Sequence, residues 1–450
     1  MSRLLPLLCL ASLSLPAQIS DSMTLLGTWD DESLPTGFVR YNDVWGYAAP
    51  DGREYALLGS LEFVHVLDVT DPAAIAEVAR LNDVATSPSI WRDMKTYRGY
   101  AYAVADQRRE GLQVIDLSRL PDTATVVFRD NSQFITAHNI WIDSLTQPAR
   151  LYAYGVNADN PGRDGVVVYG LADPAKPEHL ANVPLPGEYV HDAYVRGDTL
   201  WANHGNAGLF VYDLADLGNP VELGRLTAYR EQGYNHSGYL SDDGRTYVFC
   251  DETFDTGVKV VDVSDPNDLE ITSIFRSTLI EGQDESIAHN PFVLGDSLVV
   301  LSYYDEGIQV WDIRDPAAPV RRGYYDTTPD QTDYTASGVW GAYPYLPSGI
   351  ILGSDTRTGL YVLRLDGPAG TTAARDRPAA KPITVFPNPV ASGQALRIVG
   401  AGPREQYELR STDGRLVRAG NGGRVTLPAG LAAGVYVLRS GRRVGRVLVR

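Results

Sequence analysis

Residues 307–319 read GIQVWDIRDPAAP. Apolar residues alternate with variable ones, an Asp follows, and an Asp-Pro pair ends the run. The alternation describes a half-buried β-strand. Asp-Pro describes a turn, because Pro fixes φ at the second turn position and Asp bonds its own downstream backbone. The stretch recurs as FVHVLDVTDP (63–72), GLQVIDLSRL (111–120), GVVVYGLADP (165–174), GLFVYDLADL (208–217), GVKVVDVSDP (257–266) and GLYVLRL (359–365). Seven copies roughly fifty residues apart, each with room for several strands, mark a propeller or a related array.

One unit shows the plan. Within 42–81, NDVWGYA, EYALLGS, FVHVLDV and AIAEVARL read as four antiparallel strands, which make one blade. The seventh unit holds only three: GVWGAY, GIILGS and GLYVLRL. The missing fourth strand should resemble VELGRL or PVRRGYY, and MTLLGTWD (23–30) has that form. It is expected to pair with 360–365 and close the ring, which removes an exposed sheet edge. The expected fold is all-β: a seven-bladed β-propeller over 23–365, then a linker and a small C-terminal β-sandwich. Residues 366–382, DGPAGTTAARDRPAAKP, have linker composition. Residues 383–450 carry short alternating segments punctuated by Gly and Pro.

Charge divides the chain at the same place. From Lys381 onward twelve Lys/Arg face three acids, giving +9; the overall −17 therefore leaves −26 on the rest. An acidic body argues against nucleic acid as a partner, since phosphate binding needs a basic face. Residues 1–17 read as a signal peptide: one Arg, an apolar run, then Leu-Pro-Ala. No later run is long enough to span a membrane. Past that peptide Cys250 is the one cysteine, so no internal disulfide is expected.

Aligning the blades on an aromatic near the start of each innermost strand (Trp45, Trp141, Tyr194, Tyr239, Phe292, Trp340) brings out two columns. The first reads Asn42, Arg92, His138, His191, His236, His289, Ser337. The second reads Asp43, Asp93, Asn139, Asp192, Ser237, Asn290, Gly338. Blade two fits by its Arg-Asp pair. Innermost strands line a propeller's channel, so equivalent positions ring one mouth. Three readings of the histidine column stay open. The histidines could strut neighbouring blades. They could ligate a divalent transition metal, or act as acids and bases near neutral pH. With Arg92 they could bind an anion. Asp251, Glu252 and Asp255 in CDETFD form an acidic loop that could hold Ca²⁺. His65 and His179 are expected at the surface. His204, on a loop, could reach the mouth. The strand-end acids Asp68, Asp116, Asp213, Asp262 and Asp312 are expected to cap turns. Phosphate-loop, nucleophile-elbow, CxxC and HExxH patterns do not occur.

Two family resemblances follow from quoted residues. The tail, with VFPNPV (385–390), DGRLV (413–417), LPAG (427–430), GVYVL (434–438) and VGRVLVR (444–450), resembles the type A sorting domain of the type IX secretion system of Bacteroidota. That implies 383–450 engages the secretion machinery and delivers the protein outside the cell or to its surface. The body, with YNDVWGY (41–47), GREYAL (52–57), WRDMK (91–95), AHN (137–139), HDA (191–193), NHSG (235–238), IAHN (287–290) and GVWG (338–341), resembles the choice-of-anchor B family of LVIVD-repeat propellers. Gly170 and Arg364 depart from its strand-end Asp. The expected function is a secreted or surface binding protein that takes an extracellular ligand or protein at its channel mouth. The alternative is a metal-dependent extracellular enzyme centred on the histidines.

Overall fold

A computed structural model describes residues 20–34, 39–82, 88–107, 110–156, 165–186, 189–279, 287–329, 337–367, 385–386, 388, 390–398, 406–411, 416–431, 434–440 and 443–450. The expected signal peptide, residues 368–382 of the expected linker, and Pro387, Pro389, Asp413, Gly414 and Arg415 of the tail motifs lie outside them. The chain divides into two compact units, Met1–Thr372 and Ala373–Arg450.

Third strands such as Gly165–Gly170 and Gly307–Asp312 are buried at every position, because both their faces meet a neighbouring blade. Outer strands such as Thr125–Asp130 alternate between half-buried and exposed. This gradient stacks four-stranded antiparallel sheets around an axis. Blade one runs outward through Tyr41–Ala48, Glu54–Ser60, Phe63–Asp68 and Ala76–Asn82. The innermost strands of the next blades begin at Arg92, Asn139, Asp192, Asn235, Ala288 and Val339. Blade seven takes its outer strand from the N-terminal segment. Met23–Trp29 pairs antiparallel with Gly359–Leu365, Met23 opposite Leu365 and Trp29 opposite Leu360. The protein is a seven-bladed β-propeller closed by its N-terminal strand. Ser20 and Asp21 continue onto blade six, opposite Tyr325 and Tyr324.

Apolar cores lie between blades. Tyr102 and Val114 of blade two pack with Ile140, Leu151 and Val167 of blade three. Tyr41, Val44 and Leu58 of blade one pack with Leu352, Leu360 and Val362 of blade seven, which joins the ring. The strand-end acids accept backbone N–H bonds two residues on, for example Asp116 from Ser118 at 2.8 Å and Asp312 from Arg314 at 3.0 Å. The turn that follows docks on the outer strand of the preceding blade. A Cβ at Gly224 would stand 1.7 Å from the Pro266 carbonyl oxygen, and one at Gly27 1.8 Å from that of Pro72. Only glycine admits such close approach.

His65 is a correction to the expected surface position. Its ring is fully buried between Glu77 (Nδ1 to Oε1, 2.7 Å) and the Ser60 hydroxyl (Nε2 to Oγ, 2.9 Å). Serine, histidine and acid stand in acyl-transfer order, but Ser60 is equally enclosed, so no substrate reaches it. The trio braces blade one beneath Trp29. His179 is half-buried and bonds Asn182.

The second unit has two small sheets. One joins Val385–Phe386, Ala395–Ile398 and Arg424–Thr426. The other orders Leu416–Asn421, Gln406–Ser411, Gly434–Ser440 and Arg443–Val449. Leu396, Ile398, Leu409, Leu438 and Val447 share their core.

Candidate functional site

Adjacent residues on a regular strand face opposite ways, so both sequence columns cannot line one channel unless the backbone departs from the pleat. It does. Register shifts occur between Tyr41 and Val44, Asn235 and Ser237, Ala288 and Asn290, and Val339 and Gly341. Each bulge inserts residues that re-aim side chains toward the axis. His236 and His289 are themselves bulge residues. His138 and His191 stand just before their strands, held by their own N–H groups on Tyr154 O (3.1 Å) and Asn203 O (2.9 Å).

The four imidazoles form an arc. Ring centroids are 4.2 Å apart for His138 and His191, 4.5 Å for His191 and His236, and 4.4 Å for His236 and His289. Blade seven continues the arc with Trp340, 4.6 Å from His289. This corrects the alignment of that blade. Trp340, not Ser337, is the bulge residue equivalent to a histidine. Gly341 takes the next column, where a Cβ would meet Asp43 Oδ1 at 2.3 Å. Tyr343 then supplies the aromatic, 4.8 Å from Trp45.

All four Nδ1 atoms have partners. His138 donates to Asp106 Oδ2 (3.1 Å), His236 to His289 O (3.2 Å) and His289 to Trp340 O (2.6 Å). His191 Nδ1 meets the Tyr234 hydroxyl at 3.1 Å. Each ring is thereby oriented with Nε2 left over. The Nε2 atoms of His191 and His289 are buried without a hydrogen-bond partner. His236 Nε2 lies 3.7 Å from Glu252 Oε2, while Glu252 Oε1 accepts the Tyr304 hydroxyl at 2.5 Å. Burial, then the charge on neighbouring histidines, pulls His236 and His289 down to about 3 and His191 well below its usual range. These rings stay neutral near pH 7, the form that donates a lone pair. Burial also opposes charge on His138, but the Asp106 hydrogen bond and charge outweigh it and raise that ring.

The histidines separate two spaces. Toward solvent lies a chamber of about 270 Å³ lined by Trp91, Asp106, His138, Tyr189, His191, Tyr234, His236, Glu252 and Trp340. Inward lies a smaller space of about 50 Å³, edged by the second column. There Asp93 takes Lys95 Nζ at 2.5 Å and the Ile140 N–H at 2.9 Å. Asp192 accepts from Ala193 N, Asn139 from Ile140 N, and Asn290 donates to Trp340 O. Burial, then the Asp93 charge, pushes Asp43 well up; burial pushes Asp192 up to about 7 against the pull of Lys95. Deeper still, Trp45, Trp141, Tyr194, Tyr239, Phe292 and Tyr343 pack ring against ring, tilted or edge to face, across the axis. Lys95 fills the blade-two position of that aromatic layer, its Nζ 4.3 Å from the Trp45 ring centre.

Asn42 and Arg92 belong to the first column but leave the chamber. Asn42 donates to Ser60 O and Ser89 O. Arg92 also bonds Ser60 O and makes a two-pronged pair with Glu110, enclosed at 2% and 0% exposure. Its guanidinium is engaged by that acid, which removes it from the anion-binding arrangement. His204 packs on Phe210 and does not line the chamber. The calcium expectation is corrected as well. Asp251 is buried against Lys259 Nζ at 2.5 Å and accepts from Tyr229 and Gly233. Glu252 turns to the histidines, so the loop's carboxylates do not converge.

Sequence reasoning missed Asp106, and it gave Glu252 another role. Both occupy one register position with Tyr304: two residues past the second-strand partner of the second column, Val104, Cys250 and Ser302.

No family model matches the chain, and no curated protein matches it. The fold has relatives among solved structures. U3-55K superimposes with TM-score 0.53 at 10% identity, covering 76% of this chain and 98% of that one. PorZ, described as an essential bacterial surface component of the type-IX secretion system of Porphyromonas gingivalis, gives TM-score 0.48 at 12% identity. That alignment covers 89% of this chain, which spans 58% of PorZ's length. Likeness at these identities is a likeness of fold.

Proposed function

We propose that the protein is an extracellular or surface-displayed propeller that binds a small ligand in the chamber at its channel mouth. The observation that carries this reading is the chamber itself. Its 270 Å³ lies near the small end of ligand pockets, which span about 300–1,000 Å³. Aromatic walls from Trp91, Tyr189, Tyr234 and Trp340 surround a few convergent polar groups, the pattern such pockets use for contact area and orientation. Delivery outside the cell is supported by the leader composition of 1–17 and the sorting-domain motifs of 383–450. Saturation-transfer NMR with a panel of phenols, amines and amino acids is expected to yield binders whose signal drops in Trp340→Ala. A panel without binders, or binders indifferent to that substitution, overturns the reading.

A further inference from the structure

We infer that the floor of this chamber is a site for one divalent transition-metal ion, held by Nε2 of His138, His191 and His236, with Glu252 and His289 completing the set across His236. The inference deepens the binding reading of the same chamber and rests on it.

The donors are brought together. One ligand atom from each of His138, His191 and His236 lies within 4.8 Å of the other two, and the same holds for His236, Glu252 and His289. The groups share His236, whose Nδ1 is taken by the His289 carbonyl, so its one remaining nitrogen is the donor common to both. With metal–nitrogen bonds of about 2.1 Å, tetrahedral ligand atoms stand about 3.4 Å apart. Closure of either trio therefore asks each of its members to advance by about an ångström, within reach of small side-chain rotations.

A strut role alone does not account for the arrangement. Asn42 ties blade one to the following segment with a side-chain amide directed away from the chamber. In the histidine blades the Nδ1 atoms do that work, and two Nε2 atoms remain enclosed with no partner. A buried polar atom without a partner is costly, and native proteins keep few of them. Here the unpaired atoms belong to residues 92% and 99% enclosed, one in each of the two donor groups that share His236. The supports match those of ligating imidazoles, whose other nitrogen meets a carboxylate, hydroxyl or backbone carbonyl. Asp106, Tyr234 and the His289 and Trp340 carbonyls take these places. Tyr304 fixes Glu252 by one oxygen and leaves the other free toward His236.

The donor set selects the ion class. Imidazole nitrogens with one carboxylate suit zinc, copper, iron, cobalt or nickel, whereas calcium and magnesium need oxygen. No sulfur enters, since Cys250 is enclosed in an inter-blade core.

The test uses the full chain and metal alone. Elemental analysis after metal-replete expression, and cobalt(II) titration of the chelator-stripped protein followed by its visible absorption, should both give one ion per chain. His191→Ala with His236→Ala should reduce uptake to background, and His179→Ala, remote from the chamber, should leave it intact. Glu252→Gln, part-exposed at the chamber edge and tolerable to the fold, should weaken cobalt binding about 10–100-fold. That variant keeps the test decisive even where the double substitution perturbs folding. Stripped protein that takes up no cobalt, or uptake unchanged in both the double variant and Glu252→Gln, overturns the inference. Organic ligands that still bind a chamber taking no metal would sink the metal site while sparing the binding reading.

Discussion

At the scale of single residues, burial decides which carboxyls carry charge. Asp326, at the end of the blade-six outer strand, is 6% exposed and accepts the Thr328 N–H at 2.8 Å. Burial, opposed by that bond and joined by the charges of Glu306 and Asp355, pushes it up to about 6 from 3.8. The folded state therefore binds more protons than the unfolded one between about pH 4 and 6, and stability falls as pH rises through that window. Above pH 6 the wild type bears the whole penalty. Asp326→Asn keeps the acceptor for Thr328 and removes the charge. It should raise the unfolding free energy near pH 7 by about 1–3 kcal/mol and leave it nearly unchanged near pH 4, by denaturant titration at both. An equal effect at the two pH values would contradict the argument. The site was half legible at this scale. Four histidines in one column could be read because repeats preserve register. The roles of Asp106, Glu252 and Arg92 could not, because they depend on which side chain a neighbouring strand presents, and acids look alike in sequence. Arg92 needed Glu110, eighteen residues away, to show where its guanidinium goes.

At the scale of elements, the repeated strand served as a ruler with one defect. It located all seven third strands and the N-terminal strand that completes blade seven, because half-buried alternation and Asp-Pro turns survive in sequence. It misplaced the register of the seventh innermost strand by three residues, Ser337 for Trp340. There a bulge at Trp340 and a glycine at Gly341 replace the usual pair, and the aromatic that marks the column moves to Tyr343. Bulges are backbone events, and alternation alone does not announce them. The closing strand carries its own prediction. Met23–Trp29 pairs the outer edge of Gly359–Leu365, and Ser20–Asp21 extends it onto blade six. Deleting 20–30 unpairs both and strips the docking site of the Pro72 turn. Loss of about 5 kcal/mol, at ~2 °C for each, should lower the melting temperature by about 10 °C. A transition within a degree or two of wild type would mean that the ring does not depend on this strand.

At the scale of the molecule, the two units are built from separate stretches of the chain. Every propeller sheet draws only on residues 20–365, and the sheets of the second unit only on residues beyond 384. The charge divides with them, acidic on the body and basic on the tail. Since the ring is closed from its own N-terminal side, it is expected to fold without the second unit. Under the sorting proposal address and fold are separable, which gives that proposal a sharp form. A chain ending at Leu365 should melt at the temperature of the propeller transition in the full protein and bind the same chamber ligands. In a host with a type IX system it should stay in the periplasm, by fractionation and by protease access to intact cells. Residues 366–450 fused to an unrelated exported protein should carry that cargo to the surface. Surface delivery of the truncated chain would refute the role assigned to the tail. A truncated chain that fails to fold would instead refute the independence of the ring, and the fusion would then decide the address by itself.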